Sequence, residues 1–145
     1  MKTRMQLPTL CFLLAALLLA ACGSQAAASR ILVTDYDSLV EALRAAGATV
    51  EPADPVSQPF FGPEGQVLKV NGQDVQVFEY PDDAAAERDA ETISPDGSST
   101  TTTMITWIDA PHFYKTGKLI VLYVGSEEGT LQLLESVLGP QFAGQ

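Results

Sequence analysis

The stretch VLKVNGQDVQVFEY, Val67 to Tyr80, restricts the fold more than any other part of the chain. Asn71-Gly72 is the favoured pair for a type I′ turn, because both central residues of that turn need positive φ. A two-residue turn sets the register, so Val70 faces Gln73, Lys69 faces Asp74 and Leu68 faces Val75. One face then carries Leu68, Val70, Val75 and Val77 and demands burial. The other sets Lys69 opposite Asp74 as a cross-strand ion pair, with Gln76 beside them. Phe78 and Tyr80 continue that second face, either wrapped at the strand's end or exposed. An antiparallel pair therefore seeds the sheet, and a wholly parallel α/β fold is disfavoured.

The flanking segments alternate with this pattern. Ser38 with Glu41 forms a capping box ahead of a helix whose apolar side is Tyr36, Leu39, Val40, Leu43 and Ala46, stopped by Gly47. Val50 begins a short extended piece broken by Pro52, Pro55 and Pro59. After the hairpin, Asp82 and Asp83 mark the start of a second helix, where negative charge meets the positive helix end. Ala84 to Ala86, Ala90 and Ile93 give it a small-residue face suited to close packing on a sheet. Ser94-Pro95-Asp96-Gly97 turns the chain, and the polar run Ser98 to Thr103 suits an edge strand or a loop. Met104 to Ile108 reads as a central strand, apolar on both faces, and Leu119 to Val124 as another after the turn Lys115 to Lys118. The last helix runs from Glu127 to Leu138 with Ser126 as its cap, buries Leu131, Leu134, Val137 and Leu138, and ends at Gly139-Pro140. The element order α-β-β-α-β-β-α with tight strand connections predicts an α+β fold, a small two-layer sandwich whose antiparallel sheet has its helices packed on one face.

The first residues read differently. Lys2 and Arg4 precede the apolar run Leu10 to Ala21, which at about a dozen residues is short of the roughly 20 that span a bilayer. A basic start, a short apolar region and small residues at its end match a secretory signal. Leu19-Ala20-Ala21-Cys22 resembles the lipobox of bacterial lipoproteins. That resemblance implies cleavage before Cys22 and a diacylglycerol on its sulfur, which would leave residues 1–21 as signal peptide, 22–30 as lipidated cysteine and short tether, and 31–145 as one globular domain. It implies localisation in the bacterial cell envelope, lipid-anchored on the extracytoplasmic face. Gly23 stands where an aspartate would signal inner-membrane retention, so a cell with two membranes would place the protein on the outer one. Ala26-Ala27-Ala28 offers a second small-residue cut, which would release a soluble chain from Ser29.

Charge narrows the partners. Loss of Lys2 and Arg4 with the signal leaves six of the eight basic residues against eighteen acidic ones, a formal charge of −12. Such a surface opposes nucleic-acid binding, which requires basic groups on the phosphates. It equally opposes adhesion to anionic headgroups. Cys11 departs with the signal and Cys22 is taken by lipid, so the folded part has no disulfide and no thiolate.

Chemistry is sparse in what remains. His112 is the one histidine, there is no G-x-S-x-G or S-x-x-K, and Asp35-x-Asp37 lacks the other ligands of a calcium loop. Neither a metal nor a cofactor is expected. Asp109 lies three residues before His112, so a small hydrolase-type site around these two is the enzymatic alternative. Trp107, His112, Phe113 and Tyr114 form an aromatic patch, and Phe60-Phe61 a second one; each can be a piece of the core, and residues with an apolar body and a polar tip also suit interfaces. The expectation is a non-catalytic binding or accessory module, meeting an envelope protein or a small ligand through Trp107, His112, Phe113, Tyr114, Phe60 and Phe61.

Overall fold

The computed structural model describes residues 31–144. Along them run α1 (Tyr36–Ala45), β1 (Val50–Val56), β2 (Gly65–Val70), β3 (Gln73–Glu79), α2 (Asp83–Ala90), β4 (Pro111–Thr116), β5 (Leu119–Val124), α3 (Glu128–Leu138) and β6 (Ala143–Gly144). The strands form one antiparallel sheet in the order β1-β2-β3-β5-β4-β6. The α+β class follows from the two hairpins at its centre. Asn71 and Gly72 have φ of 49° and 85°, and the register is Val70↔Gln73, Lys69↔Asp74, Leu68↔Val75. The second hairpin turns on Gly117-Lys118 between paired Thr116 and Leu119. Gly117 has φ of 52° while Lys118 does not enter the positive region, the pattern of a type II′ turn with glycine first.

Leu119 to Tyr123 are fully buried, because β5 lies between β3 and β4 and both of its faces are covered. On one face, α1 and α3 lay Leu39, Leu43, Leu134 and Leu138 over Leu68, Val70, Val75, Val77, Val121 and Tyr123. On the other, Ala86 and Ala90 of α2 bring that helix close to Phe78, Ile120 and Leu122. The antiparallel α+β sheet is as expected, but it is covered on both sides, with α2 lying opposite α1 and α3 instead of all helices on one face, because Phe78, Ile120 and Leu122 make the second face apolar too. Of the two placements open to them, Phe78 and Tyr80 are covered and not exposed, packed with Ala86 and Ala90 of α2. Each such large apolar side chain contributes about 1.5–3 kcal/mol on leaving water.

The helix starts are set by carboxylates. Asp35 accepts from the Ser38 backbone N–H at 2.9 Å while Ser38 Oγ accepts from the Asp35 N–H at 3.0 Å, so the capping box sits three residues before the expected Ser38–Glu41 pair. Asp82 caps α2 through the Ala85 N–H, and Glu127, not Ser126, caps α3 through Gly129 and Thr130.

The strands differ from expectation: β4, which takes in Lys115 and Thr116 of the expected turn, and the short β6 stand where no strand was expected, and two further segments change character. The proline-broken piece at Val50 is a full edge strand, β1, whose pairing with β2 slips between Pro52 and Pro55. An edge tolerates proline because its outward N–H has no partner to lose, and the bulge with its prolines blocks further strand addition. Met104 to Ile108 is not a strand: it makes one isolated bridge, Ser99↔Met104, and the sheet resumes only at Pro111. Met104 is 86% and Ile108 fully exposed.

Candidate functional site

The side of the sheet facing α2 is rich in aromatic rings. Phe61 packs on Phe78 with centroids 4.6 Å apart and on Phe113 at 6.3 Å. Trp107 meets Phe113 edge-on at 5.8 Å and Phe60 at 6.0 Å. The two segments flagged separately in the sequence, Phe60-Phe61 and Trp107 with Phe113, therefore form one cluster on one face of the sheet. Phe60 and Trp107 remain half-exposed, whereas Phe61 and Phe113 are interior.

Above this cluster stands a loop that is bonded to itself. Gly97 N–H donates to the Ser94 carbonyl, Ser94 N–H to Ser99 O, Thr100 N–H to Thr103 O and Ile105 N–H to Ser98 O, at 2.7–2.8 Å. The Asp96 carboxylate accepts from Ser94 Oγ and from both Ser98 N–H and Oγ, and these bonds hold its pKa down at about 2. Trp107 Nε1 donates to Gly97 O at 2.7 Å and fastens the returning chain to the loop's foot.

Two hollows result, one on each side of Phe60. The larger, about 420 Å³, is lined by Gln58, Phe60, Gln76, Val124 and the segment Thr103 to Ile108. At its base Gln58 Nε2 donates to Gln76 Oε1 at 2.8 Å. The smaller, about 370 Å³, runs between Phe60-Phe61-Gly62 and Thr100 to Thr103, with Asp89 on its wall. Asp89 Oδ2 accepts from the Gly62 N–H at 2.9 Å and the Tyr80 hydroxyl at 2.8 Å, tying the Phe60-Phe61 loop to α2. Burial and this acceptor push the Tyr80 phenol well above its ordinary pKa.

The remaining expected site residues lie elsewhere. His112 and Tyr114 alternate with Phe113 along β4 and face α3, so the pleat divides the aromatic patch between two cores. His112 is 4% exposed, stacked on Tyr123 at 6.0 Å, with Nδ1 at 2.9 Å from Gln141 Oε1 and Nε2 at 3.0 Å from the Gly125 carbonyl. That carbonyl can only accept, so Nε2 carries the hydrogen and offers no lone pair to a substrate. Asp109 is not its partner. Its Oδ1 takes the Ala110 N–H at 2.8 Å, and its Oδ2 lies 3.5 Å from Ser126 Oγ. Of the two uses open to these residues, His112, Phe113, Tyr114 and Phe61 take the core and not the candidate binding surface, whereas Phe60 and Trp107 stay partly exposed. Met104, Ile108, Gln58 and Gln76 complete the groove and were not anticipated.

Among the described residues, no group of three His, Cys, Asp or Glu side chains gathers to hold a metal ion, and no helix is long and apolar enough to cross a membrane. Cys22 and the lipobox lie outside the described residues. No protein-family profile, curated protein or solved structure matches the chain.

Proposed function

We propose that the chain is a lipid-anchored extracytoplasmic protein, held through Cys22, whose folded part is a non-catalytic accessory module that binds through the Phe60–Trp107 groove. The observation that carries the binding reading is the full exposure of Ile108, with Met104 at 86%, on the rim of an apolar groove. Met104 and Ile108 line the same hollow, and an exposed apolar patch bordering a groove is a mark of an interaction site. The Leu19-Ala20-Ala21-Cys22 motif supports the anchor. The hydrolase alternative loses support, because Asp109 and His112 bond to different partners and both ring nitrogens of His112 are already engaged, by Gln141 and the Gly125 carbonyl.

The test is photocrosslinking in living cells from a reactive residue placed at Ile108, run on wild type and Cys22→Ser. Membrane fractionation and intact mass are measured on both. Expected are an acylated, membrane-bound wild type, an unmodified Cys22→Ser chain, and one specific adduct lost when the probe is moved to an exposed position on α1. A wild-type mass without lipid sinks the anchor. Adducts equal from both positions sink the binding surface.

A further inference from the structure

We propose that the groove receives a basic, apolar-tipped segment of a partner protein, presented at the end of the domain farthest from the tether. This inference rests on the binding reading above and adds the partner's chemistry and direction of approach. The described chain enters at Ile31 and runs beside the Gly117-Lys118 turn, where Thr116 Oγ1 donates to Val33 O at 3.1 Å. Val124, which lines the groove, is at the opposite end of β5 from Leu119, roughly 17 Å away at 3.3–3.4 Å per residue. The tether of residues 22–30 would thus hold one end of the sheet toward the bilayer and leave the groove, at the Val124 end, away from it.

Charge decides between occupants. No lysine or arginine lines either hollow, while Asp89 walls one and exposed Asp109 adjoins Ile108. The lysines of the described residues are already paired: Lys69 with Asp74, Lys115 with Glu87 at 2.8 Å and Lys118 with Glu79 at 2.6 Å. Arg44 and Arg88, the described arginines, line neither hollow, so the charges beside the two hollows are the acids Asp89 and Asp109, in keeping with the excess of acids over the whole chain. A second copy brings the same excess negative charge and is repelled, as is an anionic lipid surface. A segment with apolar side chains for the groove and lysine or arginine for its surroundings satisfies both features.

Trp107 is the one tryptophan of the chain and stands in the groove wall, so its emission reports occupancy directly. The full lipidated protein, reconstituted in zwitterionic vesicles, is titrated with tryptophan-free amphipathic peptides of Lys/Leu, Glu/Leu, uncharged Ser/Leu and Lys/Ser composition. Expected is a saturable Trp107 shift with Lys/Leu, at least about tenfold weaker with each other peptide. The double variant Met104→Ser, Ile108→Ser, both on exposed side chains, weakens it by a similar factor. Raising salt weakens it as well. Equal binding of Glu/Leu or Ser/Leu overturns the basic partner while the binding module stands. Equal binding of Lys/Ser, or indifference to the double variant, shows that charge alone acts and overturns the groove. A shift on adding anionic vesicles, or dimerisation abolished by Ile108→Ser, assigns the surface to lipid or to a second copy and overturns the inference. No response to any peptide also overturns it, and the crosslink from Ile108 then judges the module separately.

Discussion

The indole N–H of Trp107 and the carbonyl of Gly97, 2.7 Å apart, join the foot of the Ser98–Thr103 loop to the aromatic floor beneath it. The bond lies between residues ten apart in sequence, so it closes the segment that bears Met104 and fixes the residue next to Ile108. Trp107→Phe keeps an aromatic ring against Phe60 and Phe113 but removes the donor and strands the Gly97 acceptor. The expected loss of unfolding free energy is about 1–2 kcal/mol, read by urea denaturation followed by far-ultraviolet circular dichroism. The Ile105 amide, bonded to Ser98 O, should exchange faster with solvent. A variant with the parental midpoint and unchanged Ile105 protection would show that the bond does not organise the loop.

Gly97 itself permits a comparison with Gly47. Both have positive φ, 69° and 92°, so an added Cβ strains either backbone by roughly 1 kcal/mol. At Gly47 the new atom meets nothing within 4 Å, whereas at Gly97 it falls 2.9 Å from Phe113 Cε2 and 3.1 Å from Pro111 Cγ. Gly97→Ala should therefore cost about 2–4 kcal/mol in unfolding free energy, with Gly47→Ala near 1. Equal costs would mean that Phe113 gives way freely and that the aromatic floor is soft.

These positions also show what could be read from the amino acids alone. A turn such as Asn71-Gly72 states its own geometry, because positive φ is a demand on two residues and needs no partner. The alanine face of α2 was legible for a similar reason: small side chains at helical spacing have one use beside a sheet. Burial is different. Met104-Ile105-Thr106-Trp107-Ile108 has the composition of a central strand, and only the ties of Trp107 to Gly97 and of Ile105 to Ser98 show that it lies over the sheet. The patch Trp107 to Tyr114 looked continuous in sequence, yet the pleat at Pro111–Thr116 sends His112 and Tyr114 to one core and Phe113 to the other. The union of Phe60 with Trp107 depends on tertiary packing, and no local pattern encodes it.

His112 gives a third prediction, which separates a structural histidine from a catalytic one. His112→Phe preserves the stack on Tyr123 and the volume but leaves the Gly125 carbonyl and the Gln141 amide without their partner. A buried acceptor without a donor costs about 1–3 kcal/mol. The expected result is a lower melting temperature, with the crosslink from Ile108 retained at temperatures where the variant is folded. Because His112 lies on the α3 face, retention is what its position requires. Loss of the crosslink in a folded variant would place His112 in the binding surface after all.

The Asp96 carboxylate supplies a pH test of the loop. Its bonds from Ser94 and Ser98 lower its pKa from 3.8 to about 2, so the folded state prefers the charged form more than the unfolded chain does. A depressed carboxylate stabilises fully above its unfolded pKa, and the contribution disappears as pH falls from 3.8 toward 2. Asp35 and Glu127, whose pKa values are likewise lowered by their capping bonds, weaken over acid pH too, so the whole protein's melting temperature cannot isolate the loop. The difference between wild type and Asp96→Asn can, because both proteins share those caps. Asparagine keeps one oxygen for the Ser98 N–H but loses the charge and the second acceptor. The melting temperature of Asp96→Asn should fall below wild type by a constant gap above about pH 5, and that gap should shrink steadily between pH 4 and 2. The Ile105 amide should show the same dependence in exchange protection. A gap that persists unchanged down to pH 2 would mean that the charge of Asp96 does not hold the loop, and that Trp107 with the backbone bonds suffices to present Met104 and Ile108.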